Sequence, residues 1–346
     1  MTNQFKGKTV LVTGGTGSIG SEIVIQLLDR GVKQVRVFSR DETKQFDLAH
    51  ALKNDPRVRF LVGDIRDKER LNMAMEGVNM VFHAAALKHV TACEKNPFEA
   101  VKTNIQGTQN VIDCAFANKI DKVVGVSTDK ATSPTNVMGC TKLLAERLML
   151  ASYFYKGNKK TKFCYVRFGN VLASRGSVIP LFINQIKDGG PVTVTDLNMS
   201  RFFMSIPQAV DLIFKACFLM RDREIFILKM PVATIGDLVQ TLIKIIKQKR
   251  HLKKNVVIKV IGKRNGERQH EKLMTADEAE SALETDDMFI IRPNVSLEIG
   301  HQLAPATYPN TRPAELKEYA SSDQPSMSQA EIKKMLLGVA RLRALL

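Results

Sequence analysis

Hydrophobic positions in the first half of the chain fall in short β-branched runs separated by amphipathic stretches. This is the pattern of repeated βα units around a parallel sheet. KTVLVTG predicts a first strand, and SIGSEIVIQLLDRG, apolar at every third or fourth position, predicts a helix closed by Gly31. QVRVFSR, VRFLVGD, NMVFHAAA, KVVGVST and KFCYVRFGN predict five further strands. Between them lie helical patterns at DETKQFDLAHALKN, DKERLNMAMEG, roughly Pro97 to Asn118, and Gly139 to about Tyr155. After Val171 the alternation loosens, with helices around IPQAVDLIFKACFLMR and TIGDLVQTLIKIIKQK and strands at EIFILK and NVVIKVIG. A smaller lobe over residues 171–292 is expected, interleaved with the end of the sheet. The tail 293–346 lacks pattern until a terminal helix at SQAEIKKMLLGVARLRALL.

Composition changes this picture little. The 346 residues suit one large α/β domain plus a smaller lobe, and 44% hydrophobic with 25% charged residues is ordinary for a globular chain. No apolar run reaches membrane-spanning length, and the first strand starts within about eight residues of Met1, so the cytoplasm is the expected compartment, without membrane contact. The five cysteines, Cys93, Cys114, Cys140, Cys164 and Cys217, are widely spaced, which predicts neither a disulfide framework nor a metal site. The net charge of +16 gathers in residues 243–272. That run suits nucleic acid or, better, a solvated helix face followed by a strand, because it lacks interleaved aromatics. Arg264 and Arg268 within it remain available to an anionic ligand.

Chemistry enters at TGGTGSIG, where Gly14, Gly17 and Gly20 lie between a strand and a helix. Such glycines let backbone N–H groups approach a pyrophosphate at the helix N-terminus. A Rossmann-type doubly wound α/β domain over residues 1–170, its core reaching about residue 230, follows. The second strand ends in VFSRDE, where Ser39 and Arg40 suit a 2′-phosphate and favour NADP, while Asp41 keeps NAD open. Asp64, after the third strand, serves either the adenine amino group or the N-cap of the next helix.

The stretch STDKATSPTNVMGCTK follows the fifth strand, at the carboxyl edge where such sheets bind ligands. Asp129 and Lys130 there form either an acid–base pair with mutually shifted pKa values or a surface ion pair. Lys142 lies one helical turn beyond Met138, on the same face, within reach of a cofactor ribose. A nicotinamide-dependent oxidoreductase would be expected to carry a tyrosine at position 138. Methionine moves no proton; it either packs its thioether on a ligand or belongs to the core.

With GGTGSIG, FHAAALKHV, STDKATSPTNVMGCTKLLAE, RFGNVLASRGSVIPLF and GKRNGERQHEKL, the chain resembles the extended short-chain dehydrogenase/reductase superfamily over Gly14 to about Glu271. Within it the chain is similar to the UDP-N-acetylglucosamine 4,6-dehydratases of polysaccharide biosynthesis, and most of all to the 5-inverting type, through GSVIPLFINQIKDGGPVTVTDLNMSRFFMS. Several such groups also carry Met-x-x-x-Lys. The resemblance implies oxidation at C4, loss of water across C5 and C6, and return of the hydride to C6, with Lys130 as base at C5 and Asp129 as acid at the C6 hydroxyl. Thr128, Asp129 or a water aligned by Lys142 remain candidates for the 4-hydroxyl proton, with Cys140 more remote.

The resemblance also implies a cofactor set of Gly14, Thr16, Gly17, Ser18, Ile19, Gly20, Ser39, Arg40, Asp64, Ile65, Ala84, Ala85, Ala86, Asn104, Lys142 and Val171. Lys88 would face the sugar or the cofactor, Asn170, Ser177 and Val178 the sugar and its diphosphate, Thr195 and Met199 the nucleoside, Arg201 and Arg264 the diphosphate, and Glu267 the ribose. His83 reads as a packed strand-end histidine. A homo-oligomer is expected. The competing expectations are a retaining dehydratase, a nucleotide-sugar 4-epimerase, and a catalytically silent NADP-binding sensor.

Overall fold

The computed structural model describes residues 4–251, 255–293 and 307–346. The predicted alternation gives β1 (Thr9–Thr13), α1 (Ser18–Asp29), β2 (Gln34–Ser39), α2 (Glu42–Ala51), β3 (Val58–Val62), α3 (Lys68–Met75) and β4 (Met80–His83). Then come α4 (Val90–Lys95), α5 (Pro97–Ala100), a π-helical segment Val101–Gln106, α6 (Gly107–Ala117), β5 (Lys122–Val126), α7 (Val137–Ala151) and β6 (Lys162–Arg167). The order across the sheet is β3-β2-β1-β4-β5-β6-β10, all parallel, with β10 spanning Glu224–Leu228. The order reverses between β1 and β4, which opens a crevice at their carboxyl ends. Every residue of β1 and β4 is buried, as expected where helices cover both faces.

The predicted helix from Pro97 to Asn118 is continuous but widens through its π-helical turn, which carries the buried Asn104. Such turns often mark functional positions. Asn136 caps α7, its side chain accepting from the Gly139 amide at 2.8 Å. The sixth strand stops at Arg167 rather than Asn170. Asn170–Val171 form β7 and pair instead with β9 (Ser200–Met204) in a small sheet.

That small sheet begins the second lobe, which also contains α8 (Val178–Lys187), β8 (Val192–Val194), α9 (Ile206–Leu219), β11 (Val232–Thr234), α10 (Ile235–Arg250) and β12 (Ile258–Val260). Of these, α9 packs back on α1 under the main sheet. The lobe has its own core of Ile183, Leu238, Leu242 and Ile246, closed by Ile332 and Leu336 of α12 (Gln329–Gly338). The expected single terminal helix breaks at Val339, whose ψ of 110° is not helical, before α13 (Ala340–Leu345).

Residues 271–320 hold structure that the sequence pattern did not announce. β13 (Lys272–Met274) pairs with β17 (Tyr319–Ala320), and α11 (Ala276–Ala279) follows β13. β15 (Met288–Ile291) pairs antiparallel with β10, β14 (Ala282–Glu284) antiparallel with β15, and β16 (Arg312–Pro313) closes this edge of the main sheet. Arg167, fully buried on β6, joins Glu146 of α7 at 2.7 Å and Glu278 of α11 at 2.8 Å. Among the described residues no helix is long and apolar enough to cross a membrane. Residues 252–254 of the basic run lie outside the described residues; Lys249, Arg250, Lys259 and Lys263 are exposed, as a solvated face requires.

Candidate active site

A cavity of about 1090 Å³ lies at the carboxyl ends of β1, β4 and β5. The glycine loop forms one wall. Gly14 has φ +66°, and a Cβ there would lie 2.8 Å from the Ala85 backbone; a Cβ on Gly20 would lie 2.3 Å from the Gly14 carbonyl. Glycine is therefore required at both positions to bring the N-terminus of α1 against β4. The amide-lined cradle this leaves, between the loop and Ala84–Ala86, suits a pyrophosphate.

At the end of β2, Ser39 is buried and accepts from Thr16 and Gln45, both at 3.1 Å. Arg40 stands at the rim, its side chain half exposed and 3.5 Å from Asp64. Asp41 is occupied: it caps α2 by accepting from the Lys44 amide and pairs with the Lys44 ammonium. Asp64 does not cap α3, since Asp67 does; Asp64 instead grips Arg66 at 2.7 Å while lining the cavity. The nicotinamide dinucleotide fold requirements, namely a close glycine turn, a helix N-terminus and polar groups after β2, are all met by these residues.

The segment after β5 forms the opposite end. Thr128 Oγ1 donates to Asp129 Oδ1 at 2.6 Å, and Lys130 Nζ donates to the same oxygen at 3.0 Å. Asp129 is 1% exposed, and its other oxygen has no protein partner. Lys130 Nζ also lies 3.4 Å from Glu271, which is 3% exposed and 3.6 Å from Arg201 Nε. Burial pulls the Lys130 pKa down, but the charges of Asp129 and Glu271 outweigh it and hold it above the ordinary lysine value. Burial lifts the Glu271 carboxyl above its ordinary range despite Lys130, and the Asp129 charge adds to that rise. Asp129 is thus a buried carboxylate joined to a half-buried Lys130 within the cavity wall, not an ion pair on the open surface.

Lys142 points back under the strand ends, Nζ donating to the Val126 carbonyl at 2.7 Å. Burial lowers its pKa to about 8, against a smaller upward pull from Glu146. Below that pH it is an ammonium and above it an amine. If the ammonium is needed, turnover should fall as pH rises through about 8, and Lys142→Arg, which stays charged, should move that limb to higher pH in a pH–rate profile. Met138 is 3% exposed; it packs with Cys93 and Ala100 and also lines the cavity. Tyr165 lies beneath Lys142, its ring centroid 5.9 Å from Nζ. Burial drives its phenol far above the ordinary range and it does not line the cavity, so it does not stand in for the missing tyrosine. Cys140 is exposed on α7, away from the cavity, and leaves the set of proton acceptors. His83 bridges Thr13 at 2.8 Å and Thr108 at 3.2 Å; burial takes its pKa to about 3, so it is a neutral packed imidazole.

A family model of polysaccharide biosynthesis proteins matches residues 10–293. The chain belongs to that family. Among its relatives, an uncharacterized membrane protein of Methanocaldococcus jannaschii is 53% identical over 85% of this chain and 88% of its own. A Rickettsia rickettsii protein named UDP-glucose 4-epimerase is 42% identical over 96% of both chains. In solved structures, Pen of Bacillus thuringiensis is 46% identical with a TM-score of 0.89, over 96% of this chain and 98% of its own. The dTDP-glucose 4,6-dehydratase of Streptomyces venezuelae, solved with NAD bound, is 26% identical with a TM-score of 0.67, over 75% and 86%. The fold is therefore that of the nucleotide-sugar epimerases and dehydratases.

In this member of the family, the residues nominated from sequence for cofactor or catalysis line the cavity, with the exceptions of Asn104 and Cys140. Asn104 instead sits behind it, clamping the Leu87 backbone at 2.8 and 3.1 Å and Thr141 at 3.0 Å. Lys88, Asn170, Ser177 and Val178 also line it. Thr195, Met199, Arg201, Arg264 and Glu267 do not. Met199 is fully buried, and Thr195 meets Glu267 at 3.3 Å. The Arg201 guanidinium is committed to the carbonyls of Ser200, Arg268 and Gln269, at 2.8, 2.9 and 3.0 Å, which leaves it no free fork for a diphosphate. Arg264 is exposed. Arg175 and Glu271 are among the lining or contacting residues that escaped the sequence reading. Arg175 reaches across to the Thr16 carbonyl, while its own carbonyl accepts from Lys88 at 2.8 Å. Glu271 lay in a quoted motif, GERQHEKL, where alternation with the buried Leu273 turns it inward; that alternation was the available signal.

Proposed function

We propose that the protein is an NADP-dependent UDP-N-acetylglucosamine 4,6-dehydratase that inverts C5. The Thr128–Asp129–Lys130 constellation at the end of β5 carries this reading, because a buried acid beside a half-buried lysine has no clear task in a 4-epimerase. Bound NADP would accept a hydride from C4 and donate it to C6. Thr128 takes the 4-hydroxyl proton as it passes its own to Asp129 along their 2.6 Å bond, so no tyrosine is needed. Lys130, as amine, removes the C5 proton, now acidified by the C4 ketone. Asp129 then protonates the C6 hydroxyl, which leaves as water. Inversion follows when C5 regains a proton on the opposite face. Ser177, whose buried hydroxyl has no protein partner, supports a polar substrate in this cavity.

The test is purified protein with UDP-N-acetylglucosamine and NADP in D₂O. A 4-keto-6-deoxy product with deuterium at C5 and inverted C5 configuration by NMR is expected. A retained C5 would select the retaining dehydratase, and no product the silent sensor. The names of the Rickettsia relatives favour a 4-epimerase as second reading, and the galacto isomer alone would establish it. Arg40 supports NADP over NAD: Arg40→Ala should weaken NADP by about tenfold or more in calorimetric titration, the loss of one charge-assisted contact, and leave NAD nearly unchanged.

A further inference from the structure

We propose that Glu271 is the proton partner of Lys130, the group that receives the lysine's resting proton and so makes a free amine available at the reacting carbon. The inference rests on the dehydratase reading for its chemistry, but its geometry stands apart. Lys130 Nζ bridges two carboxylates, Asp129 at 3.0 Å and Glu271 at 3.4 Å, each nearly fully buried and each with one oxygen lacking any protein partner. The surrounding charges come from several elements. Arg201 of β9 lies 3.6 Å from Glu271, and Glu267 lies 3.8 Å from Arg201. Arg268 spends its guanidinium on the Thr132 and Ser133 carbonyls, and His270 is held by Ser200 at 2.7 Å. Lys130 and Arg201 thus balance Asp129 and Glu271, a neutral set in which a proton can move without creating net charge.

A protonated lysine is no base, and the two carboxylates hold Lys130 protonated at rest. Transfer to Glu271 turns an ammonium and a carboxylate into an amine and a carboxylic acid. The amine then takes the C5 proton and is an ammonium again; Lys130 releases that proton to solvent and, as amine once more, reclaims the first proton from Glu271, which restores the resting state. Burial already favours the neutral acid at Glu271. Its backbone is fixed as well: the Glu271 amide donates to Ser321 Oγ at 2.9 Å and its carbonyl accepts from the Ser321 amide at 2.8 Å.

The test is Glu271→Gln in the full chain, read in two ways. Nitrogen NMR of ¹⁵N-lysine-labelled protein should show the Lys130 pKa falling by about one unit or more once one carboxylate is removed. Exchange of C5 hydrogen for solvent deuterium should slow by about 10² or more, with its pH profile displaced, and Glu271→Asp should recover part of the rate. An unmoved Lys130 pKa overturns the pairing; a moved pKa with undiminished exchange overturns the proton transfer. If wild-type protein does not turn over the sugar nucleotide, the dehydratase reading fails while the NMR result still decides the pairing. Should Glu271→Gln not fold, Lys130→Gln with ¹³C-glutamate NMR reads the same coupling from the other side: the Glu271 pKa must rise, and no rise overturns the proposal.

Discussion

Lys130→Ala is expected to lower formation of the 4-keto-6-deoxy sugar by about 10² to 10⁴-fold, the range for loss of a positioned acid–base group. The loss should appear in kcat, with cofactor and substrate affinity nearly unchanged, because in the proposed arrangement Lys130 faces the reacting carbon while the glycine loop and the end of β2, at the other end of the cavity, would hold the dinucleotide. Half-reaction measurements sharpen this. In the proposed mechanism nicotinamide reduction on mixing with substrate would depend on the Thr128–Asp129 relay and should survive, so absorbance at 340 nm rises without product release. Dehydration left intact in Lys130→Ala would remove the lysine from the mechanism. Loss of both half-reactions would mean that the Lys130 cation is needed to organise Asp129, with which it shares an oxygen at 3.0 Å.

The largest effect on stability is expected at Arg167. Its guanidinium is fully buried and divides its hydrogen bonds between Glu146, at 2.7 and 3.0 Å, and Glu278, at 2.8 Å. Arg167→Met would leave two carboxylates facing each other without a cation, at about 3–5 kcal/mol. For a chain of this size that is a fall on the order of 10 °C in the melting temperature, read by calorimetry. Replacing all three residues with apolar side chains should recover much of it, because the penalty lies in the orphaned charge rather than in the lost attraction. Burial raises the Glu278 pKa, but hydrogen bonding and the charge of Arg167 outweigh it and hold the carboxyl below its ordinary value of 4.5. A group depressed in the folded state stabilises above that value and loses its contribution as pH falls through the folded pKa. The wild type should therefore lose this stability in acid below pH 4.5, and Arg167→Met should lack that part of the acid transition.

The doubly wound half of the fold was legible because period-two and period-3.6 patterns alternate with clear breaks at Gly31, Gly63 and Gly77. So was the glycine loop, where strand, turn and helix are contiguous. The antiparallel extension was not. β14 and β15 span three and four residues, too few for alternation to stand out, and their burial depends on β10, more than fifty residues earlier. At the site, local chemistry was legible and distant pairing was not. Asp129 and Lys130 announce themselves as neighbours after a strand. Glu271 meets them only because β13 folds in beside them; its alternation with Leu273 signals an inward side chain but not which groups it faces. Arg201 misled for the same reason: a conspicuous arginine in a matched segment is consumed by carbonyls that only the folded chain assembles.

The pairing of β13 with β17 joins what the family match, ending at residue 293, leaves apart. Ser321 secures the backbone of Glu271 and shares a 2.7 Å bond with Ser200, so the C-terminal stretch forms part of the wall behind the acid–base cluster. The proton affinity of Lys130 is thus set jointly by stretches near residues 129, 201, 271 and 321. Variation in the last of these, far from any catalytic motif, offers a way to retune the chemistry among relatives while the motif itself stays unchanged.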